Sequence, residues 1–271
     1  MGSEKGLDAF EEHYRQRFGD RWSDLRAAME RDHPMVPIDT GTAERYYVDP
    51  ASLIVAGAAG PLGERLVLDM CAAPGGKTLA MALTTAEGGK IVANDRSSGR
   101  RARLHRVLDS HLPDSIRRKV DVSGRDARKI GLREPATYDL VLLDAPCSSE
   151  AHLIRGKGRI DLWSRSRITH IAQDAFTLLR SAMQSVCRGG TIIYSTCSLP
   201  FEENEGVVER AVKRSAQKGL TFIERTPHAE TWQTAERYTL TISSSSRGFR
   251  IWPDLNDGAG PIFFCVLSRE Q

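Results

Sequence analysis

From residue 66 onward, short apolar segments alternate with longer segments of helical periodicity, and this alternation constrains the fold more than any other feature. Strands are predicted at 66–70, 90–95, 119–122, 139–146 and 191–196. Helices are predicted at 76–86, 97–110, 164–187 and 201–217. Because the strands are apolar on both faces and each is followed by a helix, the pattern predicts a parallel sheet covered by helices on both sides.

Two later apolar segments, 221–224 and 262–269, predict additional strands. The second follows a turn-rich segment at 257–261 and is predicted to be a terminal, hairpin-like antiparallel strand. Residues 225–260 are predicted to be rich in loops. The predicted fold class is therefore α/β, with a Rossmann-like, doubly wound, mainly parallel sheet, helices on both faces and a late antiparallel strand.

Residues 1–48 are predicted to form a small helical extension in front of a catalytic domain at 49–271. Apolar residues recur at three- and four-residue steps on either side of a Gly-Asp break at 19–20, which is the periodicity of amphipathic helices. These residues are Leu7, Phe10, Tyr14, Trp22, Leu25 and Met29. A short helix is predicted to begin at the Asp-Pro pair at 49–50, because Asp caps helices and Pro fits the first turn.

Composition excludes several classes of protein. With 40% hydrophobic and 27% charged residues, the chain resembles a globular protein rather than a disordered or collagen-like one. No apolar run approaches the roughly 18–20 residues of a membrane span, so no membrane association is predicted. Five cysteines without a C-x-x-C pair argue against a disulfide scaffold or zinc ribbon, and no metal site is predicted. The first thirty residues include seven acids, which is atypical of a signal or transit peptide.

Basic residues are distributed unevenly. Residues 91–133 hold ten Arg and two Lys against five Asp, whereas residues 1–49 hold seven bases against eleven acids. Of the 38 basic residues, 30 are Arg, whose planar five-donor group suits phosphate contacts and base stacking. A GC-rich genome explains the excess of Arg equally well, so the inference of nucleic-acid binding depends on where the basic residues lie along the chain. It predicts one nucleic-acid-facing side, which includes the basic residues of 155–167, and a separate acidic surface.

The loop after the first of these strands contains paired glycines and reads CAAPGGKT at 71–78. Glycines at a strand–helix junction let the backbone approach a ligand closely. The spacing matches neither a P-loop nor the G-x-G-x-x-G loop, which argues against a nicotinamide-dependent oxidoreductase. Acids stand at successive strand ends: Asp95 closes the second strand, Asp126 follows the third and Asp144 closes the fourth. Because these ends share one edge of a parallel sheet, the pattern predicts a nucleoside-type ligand there.

Two cysteines are predicted at the same edge of the sheet. Cys147 follows Asp144 closely and Cys197 ends the fifth strand, so both thiols are expected to reach one cleft. A thiolate in this position can act as a nucleophile, favoured by nearby positive charge such as that of Lys77. The remaining cysteines are interpreted as small buried hydrophobic residues: Cys71, Cys187 and Cys265.

Four segments, in this order along the chain, carry a family resemblance: LDMCAAPGGKT, ANDRSSGRRARL, VLLDAPCSS and GGTIIYSTCSLPFEENEGVVE. They resemble the S-adenosylmethionine-dependent RNA (cytosine-5) methyltransferases of the Nol/Nop/Sun (Fmu) family. The resemblance runs from about residue 46 to residue 208, with a matching terminal strand at 261–269. The N-terminal FEEHYRQRFGDRWSDLRAAM and the closing GPIFFC are similar to the mitochondrial ribosomal-RNA branch of that family.

The resemblance implies a role for each catalytic residue. Cys197 would be the nucleophile whose thiolate adds to C6 of cytosine and makes C5 reactive enough to accept a methyl group. Cys147 would assist release of the product. Asp144 would hydrogen-bond the cytosine amine and polarise the ring, and Lys77 would stand beside both cofactor and base.

The resemblance also implies S-adenosyl-L-methionine as the cofactor. Residues 71–77 would hold its methionine end, Asp95 its ribose and Asp126 its adenine amine. Arg100 matches a family position near the cofactor, although a role as a surface helix charge is equally consistent. The implied cofactor-binding residues are Cys71, Ala72, Ala73, Pro74, Gly75, Gly76, Lys77, Asp95, Arg100, Asp126, Ala127 and Asp144.

The chain departs from the family pattern after Cys147. Family members commonly have Ser-Gly-x-Gly there, whereas residues 148–151 lack both glycines, which predicts altered loop geometry rather than lost activity. Many relatives carry an added RNA-binding domain, for which a chain of 271 residues has no room. RNA contact is therefore predicted to depend on the Arg-rich surfaces, or on a partner that by resemblance is like a mitochondrial termination factor. The catalytic chain itself is predicted to be monomeric.

Several alternatives remain open at this point. The RNA could be transfer RNA instead of ribosomal RNA, or the chain could be a methyltransferase-like subunit that binds RNA without turnover. A DNA cytosine-5 methyltransferase would use Cys147 as the nucleophile, but the Thr-Cys at 196–197 and the lack of a large target-recognition region argue against it. The resemblance implies a mitochondrial location, with the cytoplasm as the alternative because no transit peptide is visible.

Overall fold

The computed structural model describes residues 2–270. The chain begins with helices α1 (Gly2–Phe18) and α2 (Arg21–Glu30), which confirms the predicted helical extension. An antiparallel hairpin follows, formed by β1 (Val36–Ile38) and β2 (Tyr46–Val48). The sequence analysis did not predict this hairpin, because strands of three residues are too short to show a period.

A larger sheet contains nine strands within residues 2–270. They are β3 (Leu66–Asp69), β4 (Lys90–Asn94), β5 (Val120–Ser123), β6 (Tyr138–Asp144), β7 (Val186–Thr196), β8 (Phe222–Glu224), β9 (Ser243–Ser244), β10 (Phe249–Ile251) and β11 (Ile262–Arg269). Their order is β5-β4-β3-β6-β7-β11-β10-β9, and β8 also pairs with β11. Strands β3 to β7 run parallel and β11 is antiparallel to β7. The predicted fold class is therefore confirmed, including its late antiparallel strand.

Helices cover both faces of this sheet. They are α3 (Pro50–Ala56), α4 (Gly76–Ala82), α5 (Ser98–His111), α6 (Asp114–Arg117), α7 (Ile130–Arg133), α8 (Glu150–Ile154), α9 (Arg165–Ser185), α10 (Glu205–Ala216) and α11 (Ala229–Arg237). Helix α3 begins as the sequence predicts, because the Asp49 carboxylate accepts a hydrogen bond from Ala51 N at 2.8 Å and Pro50 occupies the first turn.

Side chains of the central strands alternate between two apolar cores, as the period of a β-strand requires. On one face, Val67 and Leu142 pack with residues of α3, α4 and α5. On the other face, Leu68 and Val141 pack with residues of α9 and α10. The strand order reverses at β3, whose neighbours are β4 and β6, so the loops after β3 and β6 leave from adjacent strand ends. Open α/β sheets bind their ligands at this kind of switch point.

The N-terminal helices form a third core together with the segments that follow β6 and β7. Phe10, Tyr14 and Trp22 are buried there against Trp163 and Leu199. The hairpin of β1 and β2 packs elsewhere, within the core that α3, α4 and α5 share with the sheet. Both parts of the segment preceding residue 49 are therefore anchored on the larger sheet domain. No helix among residues 2–270 is long and apolar enough to cross a membrane.

Two segments differ from their predicted structure. Strand β7 begins at Val186, inside the predicted helix, because Gly189 adopts a positive φ of 74° and a register shift against β6 accommodates the extra residues. Residues 225–260 are not simply loops, since they contain α11, β9 and β10. Helix α11 buries only Thr231 and Ala235, and two apolar-facing positions are too few to produce a recognisable helical period.

Candidate active site

The glycine loop between β3 and α4 lies where side chains larger than hydrogen do not fit. Gly75 has a φ of 124°, and a Cβ atom there would lie 3.0 Å from Leu104 Cδ1. A Cβ atom on Gly76 would lie 3.0 Å from Val48 Cγ1 and 3.2 Å from Tyr46 Cε1. Glycine at both positions lets the loop lie between α5 and the β1–β2 hairpin. Its main chain consequently borders two cavities.

The larger cavity, of about 460 Å³, is lined by five of the twelve predicted cofactor-binding residues. Its lining includes Cys71, Asp95, Arg100, Asp126, Ala127 and Pro146. Asp95 Oδ1 accepts a hydrogen bond from Ser97 N at 2.9 Å. Asp95 Oδ2 is buried and has no hydrogen-bond donor within residues 2–270; Arg100 Nε lies 3.2 Å from it, but outside hydrogen-bond geometry. A buried carboxylate oxygen without a hydrogen-bond donor is suited to accept a hydrogen bond from a hydroxyl group of a ligand.

Arg100 and Asp126 have protein partners in this cavity. Arg100 Nη2 donates to Ala73 O at 2.6 Å, which ties α5 to the glycine loop. Asp126 accepts two hydrogen bonds from the Arg128 guanidinium, at 3.0 and 2.9 Å. These bonds lower the pKa of Asp126 to about 2. A ligand amine that binds Asp126 would have to share the carboxylate with Arg128, a constraint that the sequence did not reveal.

A smaller cavity, of about 220 Å³, borders the same loop and lies at the ends of β3 and β6. Its lining combines Lys77 and Asp144 with residues of the hairpin and of the segment before it: Met35, Tyr46, Tyr47 and Val48. Met35 and Tyr47 are about half exposed, at 52% and 53%. The sequence analysis missed these residues, because their short strands gave no sign that they would fold back over the loop.

Lys77 and Asp144 form an ion pair at the floor of the smaller cavity. Lys77 Nζ lies 2.8 Å from Asp144 Oδ2, and Ser195 Oγ donates to Asp144 Oδ1 at 2.8 Å. Asp144 and Ser195 are paired in register across β6 and β7, so sheet geometry fixes this contact. Burial alone would lower the pKa of Lys77, but the adjacent Asp144 carboxylate outweighs it and the pKa is raised. Lys77 therefore carries its positive charge beside the thiols.

Asp69, at the end of β3, is a further acidic residue of the site that the sequence analysis did not select. Its Oδ2 accepts a hydrogen bond from Thr78 Oγ1 at 2.6 Å, whereas its buried Oδ1 has no donor among the described residues. Burial raises the pKa of Asp69 to about 7. Its position in the sequence could have identified Asp69 as a site residue, since Asp69 closes β3 just as Asp144 closes β6.

The two predicted thiols are in contact. Cys147 Sγ and Cys197 Sγ lie 2.9 Å apart, and the backbone N–H of Cys197 donates to Cys147 Sγ at 3.2 Å. Ser149 Oγ lies 3.0 Å from Cys197 Sγ and 3.3 Å from Cys147 Sγ. Cys197 is exposed, while Cys147 is half-buried. The structure thus places both thiols in one cleft.

The two thiols differ in acidity. The hydrogen bond from Cys147 lowers the pKa of Cys197, and the charge of Lys77 also favours its thiolate. The same hydrogen bond, together with burial, raises the pKa of Cys147 well above its usual value. The thiolate is therefore favoured on Cys197, which makes it the better nucleophile of the two. Cys71 is different, because burial raises its pKa and keeps it a neutral thiol.

Buried carboxylates fix the loop that carries Cys147. Glu150 accepts hydrogen bonds from Tyr14 OH at 2.6 Å and from Leu199 N at 2.9 Å. Glu203 accepts from Ser148 N at 2.8 Å and also from the Ser148 hydroxyl. Burial raises the pKa of Glu203 to about 7 and also raises that of Glu150. Sequence reasoning missed this support, because nothing local indicates that these glutamates are buried.

Fold and site together define a Rossmann-like methyltransferase: an open parallel sheet with a glycine loop and acidic strand ends at its switch point, facing reactive thiols. The description "16S rRNA methyltransferase RsmB/F" belongs to the family model that matches residues 58–267. The chain belongs to this family, which confirms the resemblance seen in its motifs.

Similar proteins agree with this assignment. The chain is 37% identical over 237 residues to the 5-cytosine rRNA methyltransferase NSUN4 of Xenopus tropicalis, covering 84% of this chain and 57% of that protein. It is 38% identical over 176 residues to a mitochondrial tRNA (cytosine(34)-C(5))-methyltransferase of Danio rerio, covering 64% and 47%. The structure of NSun6 from Pyrococcus horikoshii with SFG matches at a TM-score of 0.62 and 26% identity, covering 87% and 57%. The chain thus spans about half the length of these curated relatives.

Proposed function

We propose that this protein transfers a methyl group from S-adenosylmethionine to C5 of a cytosine in ribosomal RNA, through a covalent bond between Cys197 and C6. The observation that carries the proposal is the contact of Cys197 with Cys147 at 2.9 Å, beside the Lys77–Asp144 ion pair. Family membership and the ribosomal-RNA methyltransferases among the relatives support the choice of reaction and RNA.

S-adenosylmethionine fits the larger cavity because the residues there offer what its parts require. Asp95 Oδ2 is a buried acceptor without a donor of its own, which suits ribose hydroxyls. Cys71 lines both cavities, and residues 72–74, 76 and 77 line the smaller one together with Asp144, which suits the methionine end of a ligand that spans the two. When bound, this cofactor supplies an electrophilic methyl group.

The residues of the cleft account for the remaining chemistry. The Cys197 thiolate forms a bond to C6, which loads electron density onto C5, while Asp144 accepts from the cytosine amine and Lys77 holds Asp144 in place. After C5 has gained the methyl group, a solvent water takes the C5 proton and the electrons of that C–H bond restore the C5=C6 double bond. The Cys197–C6 bond then breaks with its electron pair on sulfur, which leaves as the thiolate. Cys147, in contact with the departing sulfur, stabilises it by donating a hydrogen bond.

An RNA-binding surface is supported by cations that the fold leaves without partners. Several of the basic residues predicted to contact RNA are engaged within the protein: Arg101, Arg117, Arg125, Arg155, Arg159 and Arg165. Within 91–133 and 155–167, seven exposed basic residues make no side-chain hydrogen bond or ion pair with the described part of the chain: Arg96, Arg103, Arg106, Lys129, Arg133, Lys157 and Arg167. Free cations suit phosphate contacts, and a flipped base needs such contacts to offset the cost of leaving its stack.

The compartment and the partner remain predictions. The name of the Danio rerio relative includes the word mitochondrial, which supports the mitochondrial location implied by the resemblance over the cytoplasmic alternative. An RNA-binding partner like a mitochondrial termination factor rests on the resemblance alone. The monomeric state is a prediction, and the boundary between residues 48 and 49 is predicted from the sequence pattern.

Bisulfite sequencing tests the proposed reaction. Ribosomal RNA incubated with S-adenosylmethionine and the protein should contain a protected cytosine that is absent after incubation with the Cys197→Ala variant. Protection confined to transfer RNA would favour the runner-up reaction suggested by the Danio rerio relative. Binding of RNA without any protected cytosine would favour a subunit without turnover.

Asp95 should contribute strongly to cofactor affinity. Replacing Asp95 by Asn preserves an oxygen that can accept from Ser97 N but removes the charge at the buried Oδ2. A hydrogen bond to a charged group contributes about 1.5–3 kcal/mol, so we expect at least tenfold weaker binding of S-adenosylmethionine by calorimetry. The Asp95→Ala variant should bind as weakly and should also unfold at a lower temperature, because the Ser97 contact is lost. Unchanged affinity in both variants would mean that Asp95 only supports the start of α5.

A further inference from the structure

Ser149 occupies an unusual position between the two thiols. Its φ of 54° and ψ of 60° place it in the left-handed region, which non-glycine residues seldom adopt. Its hydroxyl lies 3.0 Å from Cys197 Sγ and 3.3 Å from Cys147 Sγ. The residue therefore carries a backbone cost while bringing a hydroxyl to the centre of the cleft.

The loop on both sides of Ser149 is held in place, so this placement follows from the packing around it. On one side, the backbone N–H of Ser148 donates to the buried Glu203 carboxylate at 2.8 Å. On the other side, Glu150 accepts from Tyr14 OH and from Leu199 N. Both anchors belong to residues that are almost fully buried, so the Ser149 backbone is fixed from each side.

We propose that Ser149 is a positioning residue for the nucleophile: its hydroxyl donates a hydrogen bond to Cys197 Sγ and holds that sulfur as an oriented thiolate. The assignment of Cys197 as nucleophile rests on the proposed function. A serine at this point supplies a donor that the glycine expected from the family resemblance could not supply.

Other groups around Cys197 act on the same ionisation. Cys147 donates to its sulfur and Lys77 carries a positive charge nearby, and both favour the thiolate. Asp144 carries a negative charge and opposes it. The contact with the Ser149 hydroxyl lowers the pKa of Cys197 further. Glu203 acts on the neighbouring thiol, where its charge raises the pKa of Cys147.

The test measures the ionisation of Cys197 without RNA or cofactor. The rate of Cys197 alkylation by iodoacetamide is followed against pH in phosphine-reduced protein, with the modified residue identified by peptide mass. We compare the wild type with Ser149→Gly and Ser149→Ala. Glycine adopts a positive φ readily, so Ser149→Gly removes the hydroxyl without disturbing the loop, whereas Ser149→Ala keeps the backbone cost.

Both variants should shift the alkylation midpoint of Cys197 upward by about one pH unit, the size expected for loss of a hydrogen bond to a charged sulfur. Removing the donor destabilises the thiolate, so a higher pH is needed to form it. Ser149→Gly should unfold at the wild-type temperature or above. Cys187, which lies against Asp139 away from the cleft, should react at unchanged rates and serves as the internal control.

An unchanged midpoint in Ser149→Gly would overturn the proposal, and so would a shift seen only in Ser149→Ala, since that would assign the effect to the backbone. In methylation assays, Ser149→Gly should lower kcat at neutral pH and regain it at higher pH, with an unchanged KM for S-adenosylmethionine. If the wild type methylates no RNA but the alkylation shift is present, the proposed function fails while the contact to Cys197 stands.

Discussion

Replacing Cys197 by alanine should abolish methylation, with kcat falling at least about a thousandfold, because it removes the thiolate that forms the bond to C6. Replacing Cys147 by alanine should have a different result: a covalent protein–RNA adduct should accumulate. In that variant Cys197 can still form its bond, but it loses the partner at 2.9 Å that stabilises the departing sulfur.

Denaturing gel electrophoresis of labelled RNA separates the two results. The adduct should appear with Cys147→Ala and be absent from the Cys197→Ala variant and from the double variant. Cys187→Ala is the matched control and should behave as the wild type. An adduct that forms with Cys197→Ala and not with Cys147→Ala would reverse the assignment of the two thiols.

Replacing Asp144 by asparagine should lower kcat/KM at least about a hundredfold, which corresponds to about 2.7 kcal/mol of transition-state stabilisation. The variant removes the charge that polarises the cytosine amine and leaves the Lys77 ammonium, which is only 15% exposed, without its partner. Ser195 keeps an oxygen to which it can donate, so the β6–β7 contact survives. Because the charge of Asp144 opposes ionisation of Cys197, the thiol should alkylate faster in this variant.

Steady-state kinetics on RNA and alkylation rates of Cys197 together check this prediction. Lower methylation with faster alkylation would show that Asp144 acts on the base rather than on the nucleophile. Lys77→Met and the variant that combines it with Asp144→Asn complete a double-mutant cycle. The double variant should lose less transition-state stabilisation than the two single variants together, because the two residues share one contact. Activity of Asp144→Asn within threefold of the wild type would contradict the proposed role.

Much of the fold could be predicted because its signals are local. The strands β3, β4 and β6 are continuous apolar segments, and β11 was predicted with the bounds observed. Besides the short β1–β2 hairpin, two differences have a common cause. Strand β7 extends through a Gly-Gly pair, and α11 buries two side chains only, so in both cases distant packing overrides a weak local pattern.

The candidate site could be predicted in part for the same reason. Asp95, Asp144, Cys147 and Cys197 lie at or just beyond strand ends, and parallel strands bring such positions together whatever the details of packing. Ser149 is different, because its importance depends on a left-handed backbone and on a sulfur 48 residues away along the chain.

The sequence by itself determined the order of strands and helices, the glycine loop and the edge of the sheet at which acids and thiols meet, since each follows from a short stretch of chain. Only the tertiary structure decided how the two thiols contact each other, which arginines have no side-chain partner among the described residues and which buried residues support the loop that carries Cys147. Those outcomes depend on burial and on contacts between distant segments, such as Tyr14 with Glu150 and Ser148 with Glu203. The pKa of a group and the availability of a charge are properties of its surroundings, and the surroundings exist only once the chain has folded.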